Sequence, residues 1–421
     1  MSGGSASPPG VQASVGTSAQ VGASPAAARS TSRDSLTPTL PPDIPPRPTT
    51  HMAVNEFSWQ MFVAMNWPAA PDQRGAPDPT KTIGQDGPTV WLTYKTPEEV
   101  FVAPGSTPAE WNAPPDLPPG CASAGTFKHP LVMNSKASEP LKSVQQAVGG
   151  TLTDQHGKLA RYEIHLNKTS FDHIVANKLY DYPTQNGATS VNFPPGVLEV
   201  KAAWREMTAQ DDENTRKRFY RTTACICEQV TKDGSRAEQC HPDREVGLVA
   251  LHIVQKTPSS PQWIWATFEQ VDNVKSSAIR PSFNDPTCPP DKCIPNKSTE
   301  KDGKPTTTPT QVTRVAPIPA EVQTLNAQWQ AKLAGAVAGS PWQYYELIDT
   351  QWPTNPGDPT SPLGDPQPNI VANTILETYR QSDSSCQGCH STATTVNTKV
   401  KSDFSFLFLH TRKPSATRGR K

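Results

Sequence analysis

Glycine and apolar residues are both in short supply in this chain. Only 25 of its 421 residues are glycine against 46 prolines, and hydrophobic residues make up 34%. That balance excludes a compact helical bundle as the organising plan and implies long irregular connections between elements. No apolar run approaches the ~20 residues of a membrane span, so a transmembrane helix is not expected. Charge of either sign is missing in excess, with 39 basic against 39 acidic residues. No basic arm interleaved with aromatics occurs either, which removes nucleic acid from the expected partners. Internal repeats are absent. Residues 1–30 also lack a charged start followed by an apolar stretch, so no export signal is visible there.

Against these absences one short stretch carries chemistry, Cys386-Gln387-Gly388-Cys389-His390. Two cysteines three apart, followed at once by histidine, form the attachment signature of a c-type haem. On a helical turn Cys386 and Cys389 share one face and His390 stands where its imidazole reaches a metal. The competing readings are a disulfide or half of a zinc site. A zinc site needs a second ligand pair at similar spacing, and none follows. The expectation is one covalent haem c, with Cys386, Cys389 and His390 binding the cofactor and His390 the iron ligand.

Six further cysteines remain, Cys121, Cys225, Cys227, Cys240, Cys288 and Cys293. They suggest up to three disulfides and an oxidising compartment. Cys288 and Cys293 bracket a loop that could close on itself. Cys225 or Cys227 with Cys240 would staple another, leaving Cys121 for the remaining thiol, and the connectivity stays open. Haem c is attached outside the cytoplasm, so a periplasmic location is expected although no export signal is seen.

Residues 1–50, rich in Ser, Pro, Ala and Thr, read as a disordered tether. Residues 51–413 read as a single large haem c domain, with a β core over 160–272 and the attachment segment over 370–410; 414–421 is a flexible tail. Asn55 to Asn66 reads as a buried helix stopped by Trp67-Pro68. Thr89 to Tyr94 reads as a strand, and a short helix is expected from Leu141 to Val148. Tyr162 to Leu166 alternates as a strand, after which Thr169 caps a helix through Phe171, Ile174, Val175 and Leu179. The turn Phe193-Pro194-Pro195-Gly196 leads to a strand from Val197 to Trp204, with Glu199 and Lys201 on one face. Further strands are expected at 218–226, 246–254 and 262–271, the last two joined as a hairpin. A helix over Pro319 to Ala336 follows, and another from Ile370 to about Ser382 delivers the chain to the motif. The fold class is therefore α+β, a mainly antiparallel β core with peripheral helices, long Pro-rich loops and a C-terminal haem-binding helix or loop.

Several pieces occur in an order that resembles the cytochrome P-460 family and the related beta-type cytochromes c′. Tyr162-Glu163-Ile164-His165-Leu166 with Thr169-Ser170-Phe171 is similar to that family's first core strand and helix. Phe193 to Lys201 is similar to its turn and lysine-bearing strand, and Trp263 to Phe268 to its aromatic strand. Cys386 to His390, with Ser402-Asp403-Phe404-Ser405-Phe406, is similar to its haem segment. The whole chain is also similar to large monohaem proteins of bacteria. The resemblance implies that Lys201 is the candidate for a crosslink to the haem edge; the alternative is a surface lysine paired with Glu199, two residues away on the same face. The family's enzymes carry a distal carboxylate after a Gly-Leu pair, where this chain has apolar Val249 after Gly247-Leu248. That departure turns the implied activity from hydroxylamine oxidation toward binding of uncharged diatomics such as nitric oxide.

Methionine inventory bears on the same choice, because the last methionine is Met207. Small electron-carrying cytochromes c draw a sixth ligand from a methionine beyond the motif, and this chain has none. His165, His252 and His410 are alternatives, each weighed against an ordinary hydrogen-bonded histidine. Lys201, His252 and Glu269 are the candidate catalytic residues. Electron transfer through one haem to a redox partner protein is the first expectation. The alternative is a five-coordinate haem enzyme or gas-binding protein acting on hydroxylamine, nitric oxide or peroxide. A third reading is a haem-bearing module whose Pro-rich loops engage a partner.

Overall fold

Alternating strands and two long helices organise the computed structural model, which describes residues 36–118, 120–121, 131–134, 149–232 and 235–414. Of the expected tether over 1–50, residues 1–35 lie outside the described residues, as do 415–421 of the expected tail over 414–421 and the helix at 141–148. The helices are α1 (His51–Met65), α2 (Pro97–Val100), α3 (Lys168–Ala176), α4 (Tyr182–Gly187), α5 (Glu213–Arg216), α6 (Ala320–Ala336) and α7 (Cys386–His390). The strands are β1 (Leu131–Asn134), β2 (Arg161–Leu166), β3 (Leu198–Glu206), β4 (Arg221–Lys232), β5 (Ser235–Thr257), β6 (Ser260–Gln270), β7 (Tyr345–Pro353) and β8 (Pro366–Gln367).

The strands run in the order β1-β4-β5-β6-β7-β8, with β2 and β3 attached beside β5. Among the described residues only the β1–β4 pair is parallel. The first half of β5 pairs with β4, while its second half lies between β3 and β6. The fold is thus α+β with a mainly antiparallel sheet, and Leu36–Lys421 forms one compact unit.

One face of the sheet is closed by α1 and α6. Helix α1 has no exposed residue and buries even Asn55 and Ser58, as a helix covered on several sides does. Its Phe62 packs on Phe268 of β6 with ring centroids 4.5 Å apart. Trp59 stacks on Trp329 of α6 at 5.7 Å and donates to Asn326 Oδ1. Thr50 caps the helix by accepting from the Ala53 N–H. Each such aromatic contributes roughly 1.5–3 kcal/mol of burial.

Four expectations need correction. Residues 36–50 are held against the body rather than free: Ile44 is 4% exposed, Asp43 accepts from Ser259 Oγ, and Arg47 donates to Pro353 and Thr354 carbonyls. Thr89 to Tyr94 is not a strand but contains a 3₁₀ turn at Trp91–Thr93. There the Thr93 hydroxyl bonds the Val90 carbonyl and Trp91 Nε1 bonds Asn66, so the backbone is satisfied locally. The cap of α3 is Asn167, not Thr169. Its Oδ1 accepts from the backbone N–H groups of Ser170 and Leu198, locking helix to strand. Finally, 370–382 forms successive turns rather than a helix. Asn373 Oδ1 takes the N–H groups of Ile375 and Leu376, and Thr374 is drawn to Glu269, so no continuous helical ladder forms.

Candidate functional site

The opposite face of the sheet carries the motif. Lys201 of β3 lies directly across from His252 of β5, which in turn opposes Thr267 of β6. Residues directly opposite in an antiparallel pair project to the same face. The turn before β3 needs Gly196, whose φ of +91° lets its N–H reach the Lys256 carbonyl at 2.8 Å.

Helix α7 sits on this face through its own backbone. Ser385 caps it by accepting from the Gly388 N–H at 3.1 Å. The Gln387 N–H donates to Gln351 of β7, and the Gln387 side chain donates to the Gln262 carbonyl of β6. Cys386 and Cys389 are the free cysteines among the described residues. Burial pushes both thiols up, with Glu377 adding to the effect.

His390 is held more firmly than its short helix requires. Its ring packs against Trp265 at 4.4 Å and Phe406 at 4.9 Å. Nδ1 lies 2.7 Å from the Phe404 carbonyl, which can only accept, so Nδ1 carries the proton. Nε2 is left as a free lone pair, with no hydrogen bond among the described residues. Orientation of an imidazole by a carbonyl on its other nitrogen is the usual way a metal-ligating histidine is aimed. Burial lowers the imidazole pKa to about 4, so the ring is neutral at ordinary pH.

The Phe404 carbonyl reaches His390 because Asp403 and Phe404 both adopt positive φ, +54° and +68°. Non-glycine residues enter that region at a cost and need external support. Asp403 provides it, accepting from Lys256 Nζ at 2.6 Å and from the Phe193 N–H at 2.7 Å.

A second group of charges lies beside the motif. Glu377, on the turn segment before α7, is 3.4 Å from His252 Nε2 and accepts from the Asn373 N–H at 2.9 Å. Burial alone would raise its carboxyl, but His252, Lys201 and that N–H outweigh it and hold the pKa low. Lys201 Nζ stands over the Tyr162 ring at 5.8 Å. Burial lowers its pKa, opposed by the fields of Glu377 and Cys389. Its acidic neighbour is therefore Glu377 rather than Glu199. Glu199 faces Ser405 and Asp403 instead, 8% exposed, with burial raising its pKa to about 7.

The sequence candidates separate accordingly. Lys201 and His252 join the motif. Glu269 does not: it accepts from Thr374 Oγ1 at 2.7 Å and from Arg314 at 2.7 Å, and so anchors the segment that presents Glu377. His165 is a satisfied core histidine, bonded to the Tyr94 carbonyl and to Glu163. His410 lies beside Glu98 and Phe101. Val249 is fully buried in a small apolar cluster, so no carboxylate stands at that position. Sequence reasoning missed Glu377 and the Phe404 carbonyl. An acidic residue shortly before the motif was the available signal for Glu377; none marked the carbonyl.

The three pairs Cys121–Cys225, Cys227–Cys240 and Cys288–Cys293 are disulfides. Among the described residues no helix is long and apolar enough to cross a membrane. Compared with known proteins, the chain matches no family model, no curated protein and no solved structure.

Proposed function

We propose that this chain is a periplasmic monohaem c-type protein that transfers electrons to a redox partner protein, with haem joined to Cys386 and Cys389 and His390 as axial ligand. The observation that carries the reading is the state of these three side chains. The other six cysteines are paired, whereas these two are free beside an imidazole whose Nε2 is aimed and unprotonated. That donor set fits haem c, and the half-buried, aromatic surroundings of His390 suit a large flat cofactor. Bound there, haem supplies a one-electron couple. Trp265 and Phe406 pack on the imidazole and cover part of it, and the Asp403–Lys256 pair keeps the Phe404 carbonyl in place. In this proposal the chain stands beside the cytochrome P-460 and beta-type cytochrome c′ families.

The test is expression of the exported chain with haem-attachment machinery. One haem per chain should survive denaturation and stay with the polypeptide. Cys386→Ser and Cys389→Ser should each remove one thioether, and His390→Ala should change the axial spectrum. A full-length, folded chain that acquires no covalent haem under those conditions overturns the proposal.

A second reading is favoured by Lys201, His252 and Glu377 together with the lack of methionine beyond Met207. In it the haem held by Cys386, Cys389 and His390 would bind and transform hydroxylamine, nitric oxide or peroxide rather than only pass electrons. Glu377 would then supply the carboxylate that Val249 does not, with His252 Nε2 3.4 Å from it. Lys201 is the crosslink candidate. A red-shifted ferrous band lost in Lys201→Arg would support the crosslink, and a six-coordinate spectrum indifferent to nitric oxide would sink the open site.

A further inference from the structure

The molecule holds a second sulfur cluster, remote in sequence from the motif. Cys225 and Cys227 lie two positions apart on β4, Cys240 opposes Cys227 on β5, and the chain before β1 brings in Cys121. All four sulfurs lie within 4.8 Å of one another. Two independent structural staples need no contact with each other. These two share one, because Cys121 Sγ is 3.6 Å from Cys227 Sγ although they are not bonded.

Four thiolates around zinc at ~2.3 Å stand ~3.8 Å apart at tetrahedral angles. The unbonded contact already has nearly that separation. Opening the two disulfides would move the bonded sulfurs apart by roughly 1.8 Å to reach it, within the range of side-chain rotation about a fixed backbone. Three of the cysteines are buried and Cys240 is partly exposed, which gives a reductant one sulfur to attack.

We infer that Cys121, Cys225, Cys227 and Cys240 form a redox-switched metal site, two disulfides when oxidised and a tetrathiolate site for a zinc-class cation when reduced. Each disulfide takes two electrons and two protons from a dithiol, which leaves as its own disulfide. One Zn²⁺ then displaces up to four thiol protons. Reoxidation is the reverse exchange: two small-molecule disulfides accept the four electrons and four protons, leave as dithiols, and the ion is released as the protein disulfides re-form.

The test uses the chain with Cys386→Ser and Cys389→Ser, so that motif thiols do not compete. After anaerobic reduction with a dithiol and its removal, Zn²⁺ or Cd²⁺ is added and bound metal is counted. One ion per reduced chain is expected, with an ultraviolet thiolate-to-cadmium band, a higher thermal midpoint with zinc than without, and no binding to the oxidised chain. Cys240→Ser or Cys121→Ser should weaken binding at least tenfold, whereas Cys288→Ser with Cys293→Ser should leave it intact. A reduced chain that binds no ion, that unfolds irrespective of zinc, or that loses the ion only in the Cys288 and Cys293 variant would overturn the inference.

Discussion

Glu199 shows what a single residue contributes on the motif face. Its carboxyl is buried beside Ser405 and Asp403, and its Oε1 has no hydrogen-bond partner among the described residues. Its folded pKa of about 7 lies above the ordinary 4.5, so the native state binds the proton more tightly than the unfolded chain. The associated stability is present below about pH 4.5 and is lost as pH rises toward 7, an effect on the order of 3 kcal/mol. Glu199→Gln should match the parent's thermal midpoint near pH 4 and exceed it near pH 8; no gain at the higher pH would refute the sign. The facing pair behaves oppositely. Glu377 is held ionised by His252 and Lys201, so Glu377→Gln leaves two basic groups without their carboxylate. That variant should be less stable at neutral pH than the parent, the gap closing as Glu377 is protonated in acid.

At the scale of elements, helices and strands are tied by a few shared side chains. Asn167 is one: it caps α3, accepts from Leu198 of β3 and donates to the Gly196 carbonyl at 2.9 Å. Asn167→Ala should therefore cost about 2 kcal/mol in denaturant unfolding, above the ~1 kcal/mol of an ordinary cap. A loss no larger than an isolated cap would show that the strand contacts are replaced by water. Phe62 of α1 touches Trp59, Phe268 and Trp342 with no exposed surface. Phe62→Ala should cost about 3–5 kcal/mol through the cavity it leaves. The strands at Tyr162–Leu166 and within β5 and β6 were legible because alternation and apolar runs are local signals. The turns of 370–382 were not, since Glu269, more than a hundred residues away in sequence, outcompetes the helical ladder there.

Across the whole molecule the disulfides should contribute in order of the loops they close. Cys121 and Cys225 are separated by 104 residues, Cys227 and Cys240 by 13, and Cys288 and Cys293 by 5. Chain entropy then assigns about 5, 3 and 2 kcal/mol respectively. Paired Cys→Ser variants ranked by denaturant midpoint, without added metal, check this. The reverse order would mean that native packing rather than loop closure sets the effect. The same scale explains the position of the motif. Its segment docks on β6 and β7, on the face opposite the one closed by α1 and α6, so a large sheet serves one short helix.

By itself the sequence determined the motif, the number of thiols left over, the absence of a downstream methionine and most of the strands. All of these are counts, spacings or periodicities confined to a few neighbouring residues. Only the tertiary structure decided which side chains share the motif's face. It brought Glu377 to His252, took Glu269 away to Arg314, turned the Phe404 carbonyl onto His390 and gathered Cys121 onto Cys225, Cys227 and Cys240 in one cluster. Those juxtapositions depend on strand register and on buried hydrogen bonds between segments far apart in the chain, and no local pattern encodes them.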